Sequence, residues 1–336
     1  MVTRSSGYTR LFLTAPVVLA VALPEALAQD ASTSPAPAYP NRPIRIVVAI
    51  PSGSGTDTVA RLIAQGLSER LGRQVVVENR PGAGTIIGNE IVAKAKPDGY
   101  TLLMNGAALT ISPAMYKKIP YDTVHDFAPI TVAVFTPNLM AVHPSVPAKS
   151  VQEMIALAKA RPGELSYGSS GNGSTGHFAA ELFNQKAGLK MLHVPYKGNA
   201  QALVDIIAGQ VMMMYDQVST SAPYVKAGKL KALAVTSTTR SSLFPGVPTV
   251  DEAGVKGYEA ITFNGLLAPA GTPREVLARL QGEVAKAVAV PAMRSNFLER
   301  GVELTASSSP DEFTAYIRNE VAANAKLARN AGIKAQ

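Results

Sequence analysis

Cysteine is absent from the 336 residues, and its absence excludes disulfide scaffolds, Cys-ligated zinc, iron–sulfur clusters and thiol nucleophiles. Histidine is scarce. The four are His125, His143, His177 and His193, the closest two sixteen residues apart, so neither His-x3-His nor His-Glu-x2-His exists and no local metal motif can be drawn. Charged residues make up 17 % and hydrophobic residues 47 %, a balance that excludes a disordered chain. The net charge is +8, yet no basic run exceeds Lys117-Lys118 and none is interleaved with aromatics, so a nucleic-acid partner is not expected. A diffuse positive excess suits small anions instead. Nucleotide cofactors fail on spacing. Gly53-Ser54-Gly55 continues as Thr56-Asp57-Thr58 without the third glycine of a dinucleotide fingerprint, and no Gly-Lys-Ser/Thr follows either glycine-rich loop. No cofactor is expected.

What is present begins with an address. Arg4 and Arg10 precede an apolar run from Leu11 to Leu23, followed by Ala26-Leu27-Ala28, the order of a secretory signal peptide cut after Ala28. The 13-residue run is shorter than the roughly 20 residues that cross a bilayer, and no later stretch is long enough to span. Without a cysteine at the cleavage site there is nothing to acylate, so a lipoprotein is not expected. Loss of Arg4, Arg10 and Glu25 lowers the charge from +8 to +7. Residues 29–38, Gln-Asp-Ala-Ser-Thr-Ser-Pro-Ala-Pro-Ala, read as a flexible lead. The remaining length fits about two domains of roughly 100–200 residues each.

From Tyr39 strands and helices alternate. Ile44–Ile50 is a β-branched strand, and Thr56 or Asp57 can cap a helix whose apolar face is Val59, Leu62, Ile63, Leu67 and Leu71, stopped by Gly72. Val75–Val77 is a second strand, which makes a strand–helix–parallel-strand unit. The rhythm continues with a helix over 86–95, a strand over 101–104, a helix opened by Ser150-Val151-Gln152-Glu153, a strand over 165–167, a helix over 175–187 and a strand over 191–194. A helix ending at Gly209 and strands over 211–215 and 231–236 follow. Thr272-Pro273-Arg274-Glu275 and Ser309-Pro310-Asp311-Glu312 each place a cap, a proline at the first helical position and a glutamate at the third. The expected fold class is α/β, in two domains.

Two Gly/Ser loops, Pro51–Asp57 and Gly168–Ser174, each follow a strand and open a helix. Unpaired backbone N–H groups at a helix start, together with the helix dipole, attract an anion, and loops at the carboxyl ends of strands are where open α/β sheets bind ligands. Gly168-Ser169-Ser170-Gly171-Asn172 falls one glycine short of a serine-hydrolase elbow; an exported hydrolase using Ser170 or Ser174 with His177 is the alternative from another class. Asp216 ends the apolar run Val211–Tyr215 at the same sheet edge, where it can orient a ligand's donor group, brace loop amides or simply make a turn. Phe263 serves equally as a wall beside the crossing between domains or as core.

The run Pro51-Ser52-Gly53-Ser54-Gly55-Thr56-Asp57, then Glu78-Asn79-Arg80-Pro81-Gly82-Ala83-Gly84, Lys96-Pro97-Asp98-Gly99-Tyr100, Tyr167–Ser174, His193-Val194-Pro195-Tyr196-Lys197-Gly198 and Ala268-Pro269-Ala270-Gly271-Thr272-Pro273 resembles, in order and spacing, the solute-binding proteins of tripartite tricarboxylate transporters, the Bordetella-uptake-gene type. The resemblance covers about 39–333. It implies a periplasmic-binding clamp of two α/β domains with a ligand cleft between them, the first taking 39–140 plus 261–336 and the second 141–260. It further implies a small di-, tri- or aromatic carboxylate held by Ser52, Gly53, Ser54, Thr56 and Asp57 on one side and Ser169, Ser170, Gly173 and Ser174 on the other. Ala83 and Asp216 are implied as side contacts. Integral membrane transporter subunits are the implied partners, the periplasm is the implied location, and a monomer suffices. A ligand sensor for a signalling partner keeps the same fold.

Overall fold

In the computed structural model the described residues are Gly7, 39–299, Val302 and 309–335; the expected signal peptide and flexible lead lie outside them. Strand β1 (Ile44–Val48) is followed by α1 (Gly55–Leu71), β2 (Val75–Asn79), a single 3₁₀ turn (Ala83–Thr85), α2 (Ile86–Ala93), β3 (Thr101–Gly106) and α3 (Ala107–Met115). The long β4 (Phe127–Val142) leads to α4 (Val151–Ala160), β5 (Ser166–Ser169), α5 (Thr175–Ala187), β6 (Leu192–Pro195), α6 (Asn199–Ile207), β7 (Met213–Gln217), α7 (Val218–Lys226) and β8 (Lys231–Val235). The chain then runs through β9 (Ile261–Pro269), α8 (Arg274–Ala289), α9 (Pro291–Glu299) and α10 (Pro310–Asn330). From Tyr39 onward these elements form one compact unit.

The strands join in the order β2-β1-β3-β9-β4-β7-β5-β6, with β8 also on β4. β1 pairs parallel with β2 and β3, and β5 parallel with β6 and β7. The two parallel groups are joined by the antiparallel strands β9 and β4. Residues Phe127–Pro137 of β4 pair with β9, whereas Asn138–Val142 pair with β7 and Leu139–Val142 with β8. One continuous strand therefore carries both halves of the sheet, and its partners change between Pro137 and Asn138.

Burial on both faces explains the composition of the strands. On β1, Ile44, Ile46 and Val48 pack with Ile63, Leu102, Leu266 and Leu280, while Val47 between them faces Leu103, Phe263 and Phe313. In the other half Met140 and Val142 of β4 pack with Tyr167, Phe183 and Tyr215, and Ala141 packs with Ala202, Ile206 and Met214. Phe263 is core: it is fully buried and meets Phe313 and Tyr316 edge-on.

Helix starts follow serine. Ser54, rather than Thr56 or Asp57, caps α1 by accepting Asp57 N–H at 3.2 Å, because Ser54 holds extended φ/ψ while the next residues are already helical. Ser174 caps α5 through His177 N–H (3.3 Å), and the capping box of α10 is complete: Glu312 N–H donates to Ser309 Oγ (3.2 Å) and Ser309 N–H to Glu312 Oε2 (2.8 Å). The matching box expected at Thr272 does not form. Pro273 takes the cap position of α8, and the buried Thr272 hydroxyl donates instead to Pro269 O at 2.8 Å.

Candidate ligand site between the sheet halves

The first loop is braced from below. Asp57, 3 % exposed, accepts Gly53 N–H (2.9 Å) and Arg61 Nε–H (3.0 Å) on Oδ2 and Asn79 Nδ2–H (2.9 Å) on Oδ1; the Ser52 hydroxyl lies 3.5 Å from Oδ2. Burial alone would raise this carboxyl, but the bonds from Arg61, Gly53 and Asn79 outweigh it and leave the group below the ordinary aspartate range. Asp57 thus holds the loop in shape and has its oxygens committed. The amides of Gly55 and Thr56, the first two of α1, have no intrahelical acceptor. A Cβ built on Gly55 would lie 2.9 Å from Gln217 Oε1, so the carboxamide of Gln217, at the end of β7 in the other half of the sheet, stands against the start of α1.

Beside it the turn Ala83–Thr85 carries strained backbone. Ala83 (φ 45°) and Thr85 (φ 83°) both hold positive φ without being glycine, each at a cost of about 1–3 kcal/mol. A buried polar chain holds Thr85 there. Asn89 Nδ2 donates to Thr85 Oγ1 (3.1 Å) and to Tyr121 Oη (2.8 Å), Asn89 Oδ1 accepts Asn105 Nδ2–H (2.7 Å), and Asn105 Oδ1 accepts Gly106 N–H (2.7 Å). Gly106 is the N-cap of α3 and Thr85 that of α2, so this chain fixes two helix starts at once.

The second loop is tied down by two histidines. Ser169 Oγ lies 2.6 Å from His193 Nε2 and accepts Gly171 N–H, and Gly173 N–H donates to His177 Nδ1 at 3.1 Å. The two imidazoles stack at 3.9 Å, 7° from parallel. Burial holds His177 down to about 3, with His193 adding to the shift, and holds His193 down to about 4, so both rings are neutral at neutral pH. Since His177 Nδ1 accepts from Gly173, its proton resides on Nε2. Its ring is therefore not poised as a base toward Ser170 or Ser174, and Ser174 Oγ is occupied in capping. The half-buried Ser170 hydroxyl makes no hydrogen bond among the described residues.

Asp216, 1 % exposed, accepts from Asn199 Nδ2 (2.5 Å) at the start of α6, and from the hydroxyls of Thr220 and Ser221 (3.0 Å) on α7. Burial raises its carboxyl above the ordinary aspartate range despite these bonds. Of the readings open in sequence, the bracing of neighbouring elements is the geometry observed.

Between the two halves lies a cavity of about 190 Å³ lined by Gly84, Thr85, Ala108, Ile111, Ser112, Met115, Tyr116, Asn172, Gly173 and Ser174. None of these residues is charged. Yet the starts of three helices meet there: Thr85 caps α2, Ala108 is the second residue of α3, and Ser174 caps α5. Of the expected set, Gly173 and Ser174 line this cavity, Ala83 sits in the turn beside it, and Ser52, Gly53, Ser54, Thr56 and Asp57 form the α1 start facing Gln217. Thr85, Ser112, Tyr116, Asn172 and Gln217 are the additions. Asn172 lies within the Gly168–Ser174 loop and Thr85 directly follows the Arg80–Gly84 turn; Ser112 and Tyr116 are placed by α3 and the residue that follows it, which carry no glycine-rich signal.

The fold, a mixed sheet with helices packed on it, is that of an α/β solute-binding receptor. The family model described as tripartite tricarboxylate transporter family receptor matches residues 59–333, and the chain belongs to that family. A UPF0065 protein of Bordetella bronchiseptica is 39 % identical over 329 residues, covering 98 % of this chain and 95 % of the relative. Among solved structures, R. palustris Rpa4515 with adipate matches at TM-score 0.78 and 37 % identity, over 89 % of this chain and 100 % of that one. MatC from Rhodopseudomonas palustris with bound malate matches at TM-score 0.74 and 29 % identity, over 86 % of this chain and 99 % of that one. The α/β periplasmic-binding fold expected from sequence is the fold observed. Among the described residues no helix is long and apolar enough to cross a membrane.

Proposed function

We propose that this protein is a periplasmic receptor that closes two domains, 39–140 plus 261–336 and 141–260, on one small carboxylate and delivers it to integral membrane subunits of a tripartite tricarboxylate-type transporter. It reaches the periplasm by a cleavable leader, carries no lipid, works as a monomer and performs no catalysis. The observation that carries this reading is the meeting of three helix starts on an uncharged cavity. Each helix start contributes about 0.3–1 kcal/mol toward an anion, up to about 2 kcal/mol when partly buried, and charge-assisted bonds from free amides and hydroxyls add to it. Together these reach the roughly 8 kcal/mol of a micromolar complex without an arginine. A cavity of about 150 Å³ admits a molecule the size of benzene, so the observed volume is on the scale of a short carboxylic acid, and relatives of similar fold hold adipate and malate. A ligand that touches both domains binds the closed state better than the open one, which makes closure the signal a membrane partner reads.

The test is the melting temperature of the refolded, ligand-stripped protein against di-, tri- and aromatic carboxylates, with sugars, cations and neutral amino acids as controls. A carboxylate at a hundred times its Kd is expected to add about 2.7 kcal/mol, a shift of several degrees. A response to sugars or cations alone overturns the reading. Delivery is tested in cells: deletion of this protein should abolish uptake of the same carboxylate, and undiminished uptake contradicts it.

A further inference from the structure

A second cavity, of about 150 Å³, lies where the chain passes twice between the halves of the sheet. Asn138, at which β4 changes partners, and Ala260–Ile261, where β9 begins, belong to its wall. Helices α3, α5 and α10 supply the rest, with Ala107, Phe178, Leu182 and Leu327 making an apolar face. It shares only Ile111 with the cavity at the helix starts, so the two have no polar group in common.

The polar groups here are acceptors without donors. Asn138 is 2 % exposed; its Nδ2 donates to Ala260 O (3.3 Å), and its Oδ1 has no partner among the described residues. Asn324, 9 % exposed, gives Nδ2 to Thr110 Oγ1 (3.3 Å) and likewise leaves Oδ1 unpaired. The half-buried Glu320 carboxylate and the exposed Glu259 carboxylate at the rim accept no hydrogen bond and form no ion pair among the described residues. Burial and the nearby Glu259 charge hold the Glu320 carboxyl above the ordinary glutamate range, the mark of negative charge packed together without a counter-ion. No lysine, arginine or histidine lines the cavity among the described residues. Arg240 borders Glu259 on the neighbouring surface, but its guanidinium donates to Glu252 Oε2 (2.8 Å) and Pro245 O (3.2 Å).

We infer that this cavity binds a small organic ammonium ion. Its N–H groups donate to Glu320, Glu259 and the oxygens of Asn138 and Asn324, and its carbon chain lies on the apolar face. A primary ammonium brings three N–H donors and no acceptor, which is what this set of unpaired acceptors lacks. The rings of Phe178 and Tyr316 suit the same charge. A bare divalent cation is a poorer match. Calcium takes roughly 6–8 oxygen ligands, whereas much of this wall is apolar, and among the described residues no three acidic or histidine side chains gather to hold a metal. The site does not rest on the carboxylate reading. An occupant would touch α3 of one sheet half and α5 of the other.

Calorimetric titration of the protein with butylammonium, butanol, tetramethylammonium and calcium tests this. Butylammonium is expected to bind with one-to-one stoichiometry and at least about tenfold tighter than butanol, the effect of hydrogen bonds between charged groups. Tetramethylammonium, which has the charge but no N–H, should also bind at least about tenfold more weakly than butylammonium. Glu320→Gln, which keeps the shape and removes the charge, should weaken butylammonium about tenfold. Glu259→Gln should cost less, because water and salt screen the rim. Equal affinities for butylammonium and butanol, a Glu320→Gln variant that binds butylammonium as the wild type does, or no binding of butylammonium at millimolar concentration overturns the site. Tetramethylammonium binding as tightly as butylammonium overturns the role given to the unpaired oxygens. Binding of calcium in preference to butylammonium overturns the choice of an organic cation. Each of these outcomes leaves the carboxylate reading intact, since that reading is decided by the melting response to carboxylates.

Discussion

Asp57→Ala is expected to destabilise the protein by about 3 kcal/mol and to weaken ligand binding, because the loop loses its brace. The substitution removes the carboxylate that accepts from the Gly53 amide and from Asn79 Nδ2 at 2.9 Å each, leaving Asn79 with Ile50 O at 3.1 Å. A hydrogen bond to a charged group contributes about 1.5–3 kcal/mol. The bond to Arg61 adds little, since that guanidinium is half exposed. The melting temperature should fall by roughly 5–10 °C. The pH dependence carries a definite sign. The folded Asp57 ionises below its ordinary range, so its stabilisation is present above the unfolded value of about 3.9 and is lost as the pH falls through the folded value. Wild type should therefore lose stability on acidification through this interval faster than Asp57→Ala does. Asp216 acts in the opposite sense: its raised value means that stability declines as the pH rises from the ordinary aspartate value toward the folded one. Denaturant melts of wild type and Asp57→Ala at pH 3, 4 and 6 check this, and parallel profiles would refute the brace.

Gly173→Ala is expected to cost about 10–100-fold in ligand affinity, with a melting temperature lowered by roughly 5–10 °C. Gly173 holds φ +77°, and its Cβ would press on Met115 at 2.8, 3.0 and 3.2 Å beside the 190 Å³ cavity. The left-handed conformation costs an alanine about 1–2 kcal/mol, and crowding a packed wall typically adds about 1–3 kcal/mol, partly relieved as the methionine shifts. The relief displaces Met115 toward space the ligand needs. Gly188→Ala is the control. Gly188 ends the same helix at φ +65° with nothing within 4 Å of a Cβ, so it carries the backbone cost without the intrusion. Titration of both variants with the carboxylate that shifts the wild-type melt should show full affinity for Gly188→Ala and loss for Gly173→Ala. Equal affinities would place the ligand elsewhere.

Local chemistry made much of this legible. Thr175–Ala187 reads as a helix with the bounds observed, because Ser174, Gly188 and the apolar spacing all agree. The parallel pairing of β1 with β2 follows from the strand–helix–strand order. The long β4 does not emerge from sequence: Pro129 and Pro137 interrupt it, and burial on both faces erases the alternation that marks a half-exposed strand. Helix α7 is hidden by Pro223 and its serine and threonine content. At the site, the Gly/Ser loops announce themselves, but the roles of Asp57 and Asp216 do not. A buried brace and a ligand contact use the same residue at the same sheet edge, and only the partners, Gly53, Asn79 and Arg61 for one and Asn199, Thr220 and Ser221 for the other, tell them apart. The His177–His193 stack joins residues sixteen apart, one on α5 and one on β6, and depends on side-chain placement that the strand–helix–strand order does not specify. The contact of Gln217 with Gly55 belongs to the same class, since it exists only once the two halves of the sheet meet.

The most direct measurement is a crystal structure of the protein with adipate bound. The account predicts one carboxylate in the cavity bounded by Gly84, Thr85, Gly173 and Ser174, within hydrogen-bond reach of amides at the starts of α2, α3 or α5, and with no lysine or arginine touching that end. An adipate seated outside this cavity, or one held there by a cationic side chain in place of the helix starts, would contradict it.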